Sequence, residues 1–189
     1  MERGPLTRDT WAVCVYCGSN AAVPDSYLEV AEKVGARIAA RGWSLVWGGG
    51  KASMMGAVAR AARQGGARTV GVIPHALVER EWADHEADEL QVVDSMRARK
   101  ATMEDAADAF LTLPGGLGTC EELFEIWTAR FLLLHHKPVV LLDVDGHWAG
   151  LLRWTTELRD KGFASASAIS ALTVTGTVDD ALQACAPVS

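Results

Sequence analysis

The sequence predicts an α/β fold, with a parallel sheet of about seven strands and helices on both faces. Strand-like and helix-like segments alternate from one end of the chain to the other, and the links between them are short. The first strand segment, residues 11–17, is an almost unbroken apolar run, which is typical of a strand covered on both faces. Because no stretch has the composition of a linker, residues 11–186 are predicted to form a single domain.

The predicted elements follow a regular order. Short apolar runs predict strands over residues 11–17, 45–47, 69–73, 89–93, 109–113, 139–142 and 172–175. Apolar residues at helical spacing predict helices over residues 26–40, 54–63, 95–107, 119–134, 148–161 and 178–186. Gly65 and Gly66 end the second helix, and Pro74 closes the third strand.

Composition limits the classes of partner. The 189-residue chain has a net charge of −6, which argues against nucleic acid or an anionic membrane surface as its main partner. No apolar run has membrane-spanning length. Residues 1–10 are polar, are predicted to form a flexible tail, and do not resemble a signal peptide. The four cysteines suggest no disulfide framework, so a cytoplasmic protein is predicted.

Three of the predicted strands end in turns that are rich in glycine. The turns are Cys17-Gly18-Ser19-Asn20, Gly48-Gly49-Gly50 and residues 114–119. Open parallel sheets bind ligands beyond the carboxyl ends of their strands, so the turns predict one shared site of nucleotide size. None of them fits the dinucleotide-binding fingerprint, and the sequence has no Walker A motif.

The third turn carries the strongest functional signal. The chain reads Leu-Pro-Gly-Gly-Leu-Gly-Thr-Cys-Glu-Glu over residues 113–122, which predicts a strand, a glycine turn and a helix N-terminus. Such a helix end binds anions, because its N–H groups and dipole favour negative charge. Glu121 and Glu122 in the same helical turn indicate a phosphorylated substrate and a reaction that builds positive charge.

A capping box is the alternative interpretation of the same residues. Thr119 would cap the helix, and Glu122 would reach back to the N–H group of the cap. An ordinary cap does not require the preceding Gly-Gly-x-Gly, and that observation favours the ligand site.

A second cluster of charges lies on the predicted helix over residues 95–107. Arg99 and Lys100 follow Met96 by three and four residues, so both are predicted to lie on the inward stripe with Met96 and Met103. Inward cations are costly unless they are paired, so Arg99 is expected to meet a carboxylate or a substrate anion. The alternatives are a structural ion pair, or a stem that lies on apolar surface with its charged head in water.

No metal site and no organic cofactor are predicted. The histidines lack helical chelating spacing, and Asp145-Gly146 is most simply an aspartate-glycine turn. Cys14 and Cys17 are three residues apart, but such positions on a strand point to opposite faces, so they are not expected to form a metal or redox pair.

The helix predicted over residues 119–134 has more large apolar residues than one packing face requires, which predicts a helix-mediated dimer.

Two motifs together resemble the Lonely Guy family of cytokinin riboside 5′-monophosphate phosphoribohydrolases. They are Pro-Gly-Gly-x-Gly-Thr-x-x-Glu over residues 114–122 and Met96-x-x-Arg99-Lys100. The similarity runs from about Trp11 to Ala184, and includes Gly18-Ser19 in the first turn and Gly49-Gly50 in the second.

The resemblance implies a Rossmann-like homodimer that hydrolyses the N-glycosidic bond of adenine-type nucleoside 5′-monophosphates to the free base and ribose 5-phosphate. It implies no cofactor and no metal. Arg99 and Glu122 match the catalytic pair of the family. The residues expected to bind substrate and phosphate are Gly18, Ser19, Gly49, Gly50, Met96, Lys100, Gly115, Gly116, Leu117, Gly118 and Thr119.

The sequence departs from the family pattern at several positions. The block after the triple glycine is usually Ser-x-Gly-Leu-Met-Gly, and here residues 51–56 read Lys-Ala-Ser-Met-Met-Gly. Arg97 and Ala98 stand where His-Glu is frequent, and Phe131 stands where a glutamine is common.

A non-catalytic carrier or sensor of nucleotides is the second functional hypothesis, because the same turns would serve it. An ionisable Glu122 facing the ligand favours the enzyme, whereas a Glu122 engaged as a cap favours the binding protein.

Overall fold

The computed structural model describes residues 10–187, and its strands form one parallel sheet. The seven strands lie in the order β4-β3-β2-β1-β5-β6-β7. Their bounds are β1 Ala12–Tyr16, β2 Ser44–Trp47, β3 Thr69–Pro74, β4 Glu89–Val93, β5 Ala109–Thr112, β6 Val139–Leu142 and β7 Thr173–Thr175. The predicted α/β class with a parallel sheet is confirmed. The predicted tail, residues 1–10, lies outside the described residues except for its last position.

Helices connect the strands. They are α1 Asp25–Ala40, α2 Ser53–Gln64, α3 Met96–Ala106, α4 Leu117–Phe131, α5 Ala149–Asp160, α6 Ala166–Ser170 and α7 Val178–Ala184, with a 3₁₀ turn at His75–Leu77. The short α6 and the 3₁₀ turn escaped the sequence analysis because neither is long enough to display a periodic pattern. No helix within residues 10–187 is long and apolar enough to cross a membrane.

The alternating side chains of the strands divide the core into two layers. One layer holds Val13 and Val15 of β1 with residues of α1, α2 and α7. The other holds Cys14 and Tyr16 with residues of α3 and α4. Cys14 and Cys17 therefore lie in different layers, as the period of a strand predicts, and both thiols are free.

The chain reverses direction across the sheet between β1 and β5. From β1 it builds outward to β4, and after α3 it returns to pair β5 with the free edge of β1. Gly18 N–H donates to Pro114 O across the gap (3.0 Å), which ties together the turns that follow these two strands. This is the switch point at which open parallel sheets bind ligands.

The predicted bounds of α4 were wrong by two to three residues. The helix begins at Leu117 and ends at Phe131, rather than running over residues 119–134. Leu133 has a φ of +61°, so the backbone has already left the helix there. The last residues of the predicted helix form an exposed apolar segment, with Leu132 at 56%, Leu133 at 68% and Leu134 at 75% exposure. The dimer remains a prediction, and this segment is its candidate surface.

The departure at residues 51–56 has a local explanation. Lys51 Nζ lies 2.9 Å from Glu86 and 3.7 Å from Asp84, so it ties the start of α2 to the segment before β4.

Ser53 stands where the family pattern has glycine, and its φ is +50°. Its hydroxyl is buried and has no hydrogen-bond partner among the described residues. A side chain in this left-handed conformation costs about 1–2 kcal/mol.

We therefore expect Ser53→Gly to stabilise the protein by about 1 kcal/mol, after the entropic cost of a new glycine is subtracted. Chemical denaturation measures the free energy of unfolding. Ser53→Ala is the matched control, because it removes the buried hydroxyl but keeps Cβ at the positive φ. A Gly variant that is no more stable than the Ala variant would show that the backbone conformation carries no strain.

Candidate active site

A cavity of about 510 Å³ opens at the switch point of the sheet. Its volume falls within the range of small-molecule sites in proteins. The turns after β1 and β5, the start of α2, and side chains from α3 and α4 form its wall. The lining residues are Cys17, Gly18, Ser19, Asn20, Ala22, Val23, Pro24, Tyr27, Met54, Met55, Glu81, Met96, Arg99, Pro114, Gly115, Gly116, Leu117, Gly118, Thr119, Glu121, Glu122 and His147.

The N-terminus of α4 forms one end of this cavity. Gly116 is the N-cap residue, and no side chain caps the helix. The first N–H groups of a helix have no acceptor inside it, so those of residues 117–119 are available to a ligand. Gly115 packs so tightly against Thr119 that a Cβ atom on it would overlap the threonine side chain. The turn therefore requires glycine to bring its backbone to the helix end.

This geometry contradicts the capping-box alternative. Thr119 is not the cap but the third residue of α4, and it is buried. Glu122 lies a full turn inside the helix and lines the cavity instead of reaching back to a cap. The carboxylate is thus free to act on a ligand.

Burial raises the pKa of Glu122 from 4.5 to about 7. The positive charge of Arg99 opposes this effect, and the nearby charges of Glu121 and Glu81 add to it. Within residues 10–187 no group donates a hydrogen bond to the Glu122 side chain, so desolvation is not offset by such a bond. Near neutral pH this carboxyl group is divided between its protonated and ionised forms.

Arg99 is buried, and carbonyl groups that follow β2 and lie within β3 hold its guanidinium. Nη2 donates to Gly48 O (2.7 Å), and Nε donates to Val72 O (3.1 Å). The same Nη2 lies 3.1 Å from Oε2 of Glu81, which is its carboxylate partner. The expectation that Arg99 meets a carboxylate is confirmed, but that carboxylate is Glu81 and not Glu122.

The second glycine turn, Gly48-Gly49-Gly50, leaves room for the guanidinium of Arg99 and does not line the cavity. A Cβ atom on Gly48 would overlap Nη2 of Arg99. Gly49 and Gly50 were expected to bind substrate, but neither lines the cavity. Gly49 has a φ of +75°, and a Cβ atom on Gly50 would lie 2.9 Å from Glu81 O. Both glycines therefore shape the backbone that holds Arg99 and Glu81.

Lys100 was also expected to bind substrate, and its contacts lie on α4. Its Nζ bonds to the carboxylates of Glu121 and Glu125 on α4, and its side chain does not line the cavity. Burial alone would lower the pKa of Lys100, but the two carboxylates outweigh burial and raise it.

Met96 does line the cavity, although it is 44% exposed. The remaining expected residues all line the cavity: Gly18, Ser19, Gly115, Gly116, Leu117, Gly118 and Thr119.

The sequence analysis missed two polar residues of the cavity. Glu81 lies on the irregular segment after β3, where no motif marks it. His147 follows the Asp145-Gly146 turn, and its Nε2 lies 3.2 Å from Gly115 N and 3.0 Å from Gly115 O. His147 could have been predicted only from the knowledge that the end of β6 lies beside the glycine turn of residues 114–119. Among the described residues no group of three His, Cys, Asp or Glu side chains is arranged to hold a metal.

Comparison with known proteins identifies the family. A family model described as "Possible lysine decarboxylase" matches residues 55–185. A cytokinin riboside 5′-monophosphate phosphoribohydrolase of Mycobacterium marinum is 56% identical over 177 residues, which cover 94% of each chain. Its namesake in Mycobacterium tuberculosis is 55% identical with the same coverage. An enzyme of that name in Arabidopsis thaliana is 44% identical over 81% of this chain and 70% of its own length.

This chain belongs to the Lonely Guy family. The resemblance drawn from the sequence motifs is thereby confirmed, and the names of the relatives support the prediction of an enzyme. A lysine decarboxylase that uses pyridoxal phosphate requires a Schiff-base lysine, and none of the cavity's described lining residues is a lysine.

Solved structures share the fold. The molybdenum cofactor carrier protein of Chlamydomonas reinhardtii superimposes with a TM-score of 0.70 at 23% identity, covering 93% of this chain and 95% of that one. The molybdenum cofactor binding protein of Rippkaea orientalis gives 0.70 at 21% identity, covering 94% and 96%. At this identity the likeness bears on the fold alone, and it confirms the Rossmann-like architecture.

Arg99→Ala is expected to destabilise the protein by about 3 kcal/mol, because it leaves a partly buried carboxylate and two backbone carbonyl groups without their hydrogen-bond donor. Thermal or chemical denaturation measures the loss. Arg97→Ala is the matched control, since Arg97 is exposed on the same helix. Equal stability of the two variants would contradict a structural role for the Arg99 contacts.

Proposed function

We propose that this protein hydrolyses the N-glycosidic bond of adenine-type nucleoside 5′-monophosphates and releases the free base and ribose 5-phosphate. The observation that carries the proposal is an uncapped helix N-terminus and an unbonded carboxylate in the same cavity. The first feature suits a phosphate, and the second suits a carbon that becomes positively charged. The printed names of the relatives support the same substrate class.

The phosphate of the substrate would lie against the N–H groups of residues 116–119. Their partial positive charges favour an anion without a metal or a lysine. Phosphate binding lies away from the reacting bond, so its binding energy positions the ribose for cleavage. The apolar side chains of Val23, Met54 and Met55 and the aromatic ring of Tyr27 line the same cavity and suit the faces of a planar base.

Glu122 would act at the anomeric carbon. Cleavage of a glycosidic bond passes through an oxocarbenium-like state, in which the sugar gains positive charge. An ionised carboxylate stabilises this charge or accepts a proton from the attacking water. The oxygen of the water bonds to the anomeric carbon as the bond to the base nitrogen breaks. The nitrogen keeps the electron pair of that bond, and the base gains one proton for the one that the water loses. Arg99 lies near the carboxylate and favours its ionised form.

A Glu122 engaged as a helix cap would have favoured the alternative, a nucleotide carrier or sensor without turnover. Because Gly116 takes the cap position, that support is lost. A homodimer and a cytoplasmic location remain proposals. The exposed apolar segment formed by residues 132–134, together with Trp154 and Phe163, supports the dimer.

We expect AMP and N6-isopentenyl-AMP to be hydrolysed at least about 100-fold more efficiently than adenosine, because adenosine lacks the charge-assisted hydrogen bonds of the phosphate. Chromatographic measurement of released base gives kcat/KM for each compound. Equal turnover of AMP and adenosine would show that the N-terminus of α4 is not a phosphate site.

Glu122→Gln is expected to lower kcat for AMP by about 100-fold or more, since it removes the charge that stabilises the transition state. In the wild type, kcat/KM should rise with pH through about 7, because kcat/KM reports the free enzyme, in which the pKa of Glu122 is raised and the ionised form is the active one. The free substrate phosphate titrates at about pH 6 and contributes a separate limb that the variant keeps. Only the limb at about pH 7 should vanish in the variant.

Glu125→Gln provides the control for this change. Glu125 lies one turn further along α4, binds Lys100 and does not line the cavity. It should keep both kcat and the pH profile of the wild type. A well-folded Glu122→Gln variant with normal turnover would refute the mechanism.

A further inference from the structure

His147 brings an imidazole ring to the cavity from the turn that follows β6. The chain reverses there through Asp145 and Gly146, whose φ values are +53° and +70°. The carboxylate of Asp143 accepts a hydrogen bond from Trp148 N–H (2.8 Å) and so spans the turn. The backbone therefore fixes the position of His147, although its side chain is exposed.

Two aromatic rings hold the imidazole in place. The ring of Tyr27 meets it edge to face with the centroids 5.8 Å apart, and the ring of Trp148 does so at 4.6 Å. Within residues 10–187 no carboxylate bonds to either nitrogen of the imidazole. The ring is thus packed in one position without being engaged in an ion pair.

One nitrogen of the ring is bound to the glycine turn. Nε2 of His147 lies 3.2 Å from Gly115 N and 3.0 Å from Gly115 O. It accepts from the N–H group when it is unprotonated and donates to the carbonyl oxygen when it is protonated, so it has a partner in every form of the ring.

The other nitrogen, Nδ1, has no hydrogen-bond partner within residues 10–187. When Nε2 accepts from Gly115 N–H, the proton of the neutral ring lies on Nδ1. When both nitrogens are protonated, Nδ1 carries a proton as well. In either form Nδ1 of His147 is a free donor at the cavity wall, and a bound anion favours these two forms.

The balance of charge in the cavity indicates what this donor would bind. The carboxylates of Glu81, Glu121 and Glu122 line the cavity, whereas among its described lining residues only Arg99 and His147 can carry a positive charge. Arg99 already donates to two backbone carbonyl groups and to Glu81. A phosphate monoester has a charge of about −1.5 to −2 at pH 7, so it needs a further donor in such a cavity.

We propose that His147 binds the 5′-phosphate of the nucleotide through Nδ1 while Nε2 stays on Gly115. The inference rests on the proposed function, because it assumes that a nucleotide phosphate lies at the N-terminus of α4. Gly115 directly precedes the N-cap residue Gly116, so the imidazole lies beside the N–H groups of residues 116–119. The phosphate then receives backbone hydrogen bonds from the helix end and a charge-assisted bond from the ring.

A His147 that only supports the glycine turn would need Nε2 and not Nδ1, and two substitutions separate these roles. The amide atoms in His147→Gln lie as far along the side chain as Nε2, so this variant can keep the bond to Gly115 but loses Nδ1. The amide atoms in His147→Asn lie where Nδ1 was, so this variant keeps a donor for the phosphate and loses the bond to Gly115. His75→Gln is the matched control, because His75 is exposed and does not line the cavity.

The test measures kcat and KM for AMP, and the inhibition constant of adenosine, which lacks the phosphate. His147→Gln should raise KM for AMP by about 10-fold or more, the effect of one lost charge-assisted hydrogen bond. It should leave kcat within about 3-fold, because a contact made equally in the substrate and the transition state acts on binding alone. The inhibition constant of adenosine should not change. His147→Asn should raise KM less than His147→Gln does, and His75→Gln should match the wild type.

An unchanged KM for AMP in His147→Gln would overturn the proposal and leave His147 as a positioning residue for the turn. A larger increase of KM in His147→Asn than in His147→Gln would do the same, and so would an inhibition constant of adenosine that rises together with KM.

Failure of the proposed function has a different signature. If the wild type released no base from AMP, the proposed reaction would fall, and titration calorimetry would then give the dissociation constants of AMP and adenosine for the same proteins. A loss of AMP affinity in His147→Gln that exceeds the loss in His147→Asn, with adenosine unaffected, would still support the phosphate contact. A wild type that does not bind AMP would overturn both proposals.

Discussion

The buried guanidinium of Arg99 is the contact on which the arrangement of the site depends. It binds the carbonyl oxygen of Gly48 directly after β2, the carbonyl oxygen of Val72 within β3, and the carboxylate of Glu81. One side chain from α3 therefore joins β2, β3 and the irregular segment before β4. The first glycine of the triple glycine follows from this contact, because any side chain at Gly48 would occupy the space of the guanidinium.

The three carboxylates of the cavity differ in their partners. Glu81 has the Arg99 cation as a direct partner, whereas Glu122 makes no contact with it and interacts with its charge only through space. A group without a hydrogen-bond donor in a desolvated position lowers the stability of the fold when it is ionised. Such a group is characteristic of sites where function and stability conflict. The neighbouring Glu121 escapes the conflict because it is exposed and bonded to Lys100.

The sequence predicted the order of the elements and the main motif because both depend on local patterns. Apolar runs and helical spacing depend on neighbouring residues, and the glycine turn with its helix depends on ten consecutive positions. Glu81 could not be predicted in this way. Its role arises from its contact with Arg99. The two residues lie on opposite sides of β4 in the sequence, and only the fold brings them together. The start of α4 was misjudged for a related reason: Thr119 has the chemistry of a cap, but the close packing of Gly115 moves the helix start to Leu117.

The position of β1 in the sheet has a consequence for how the chain is made. β1 pairs on one side with β2 and on the other with β5, where Val13 faces Ala109. While the polypeptide emerges from the ribosome, the first four strands can associate, but one edge of the apolar β1 stays open until residue 112 has been synthesised. An open apolar edge is a template for pairing with other chains. The nascent protein is therefore most prone to aggregation just before the two halves of its ligand site meet.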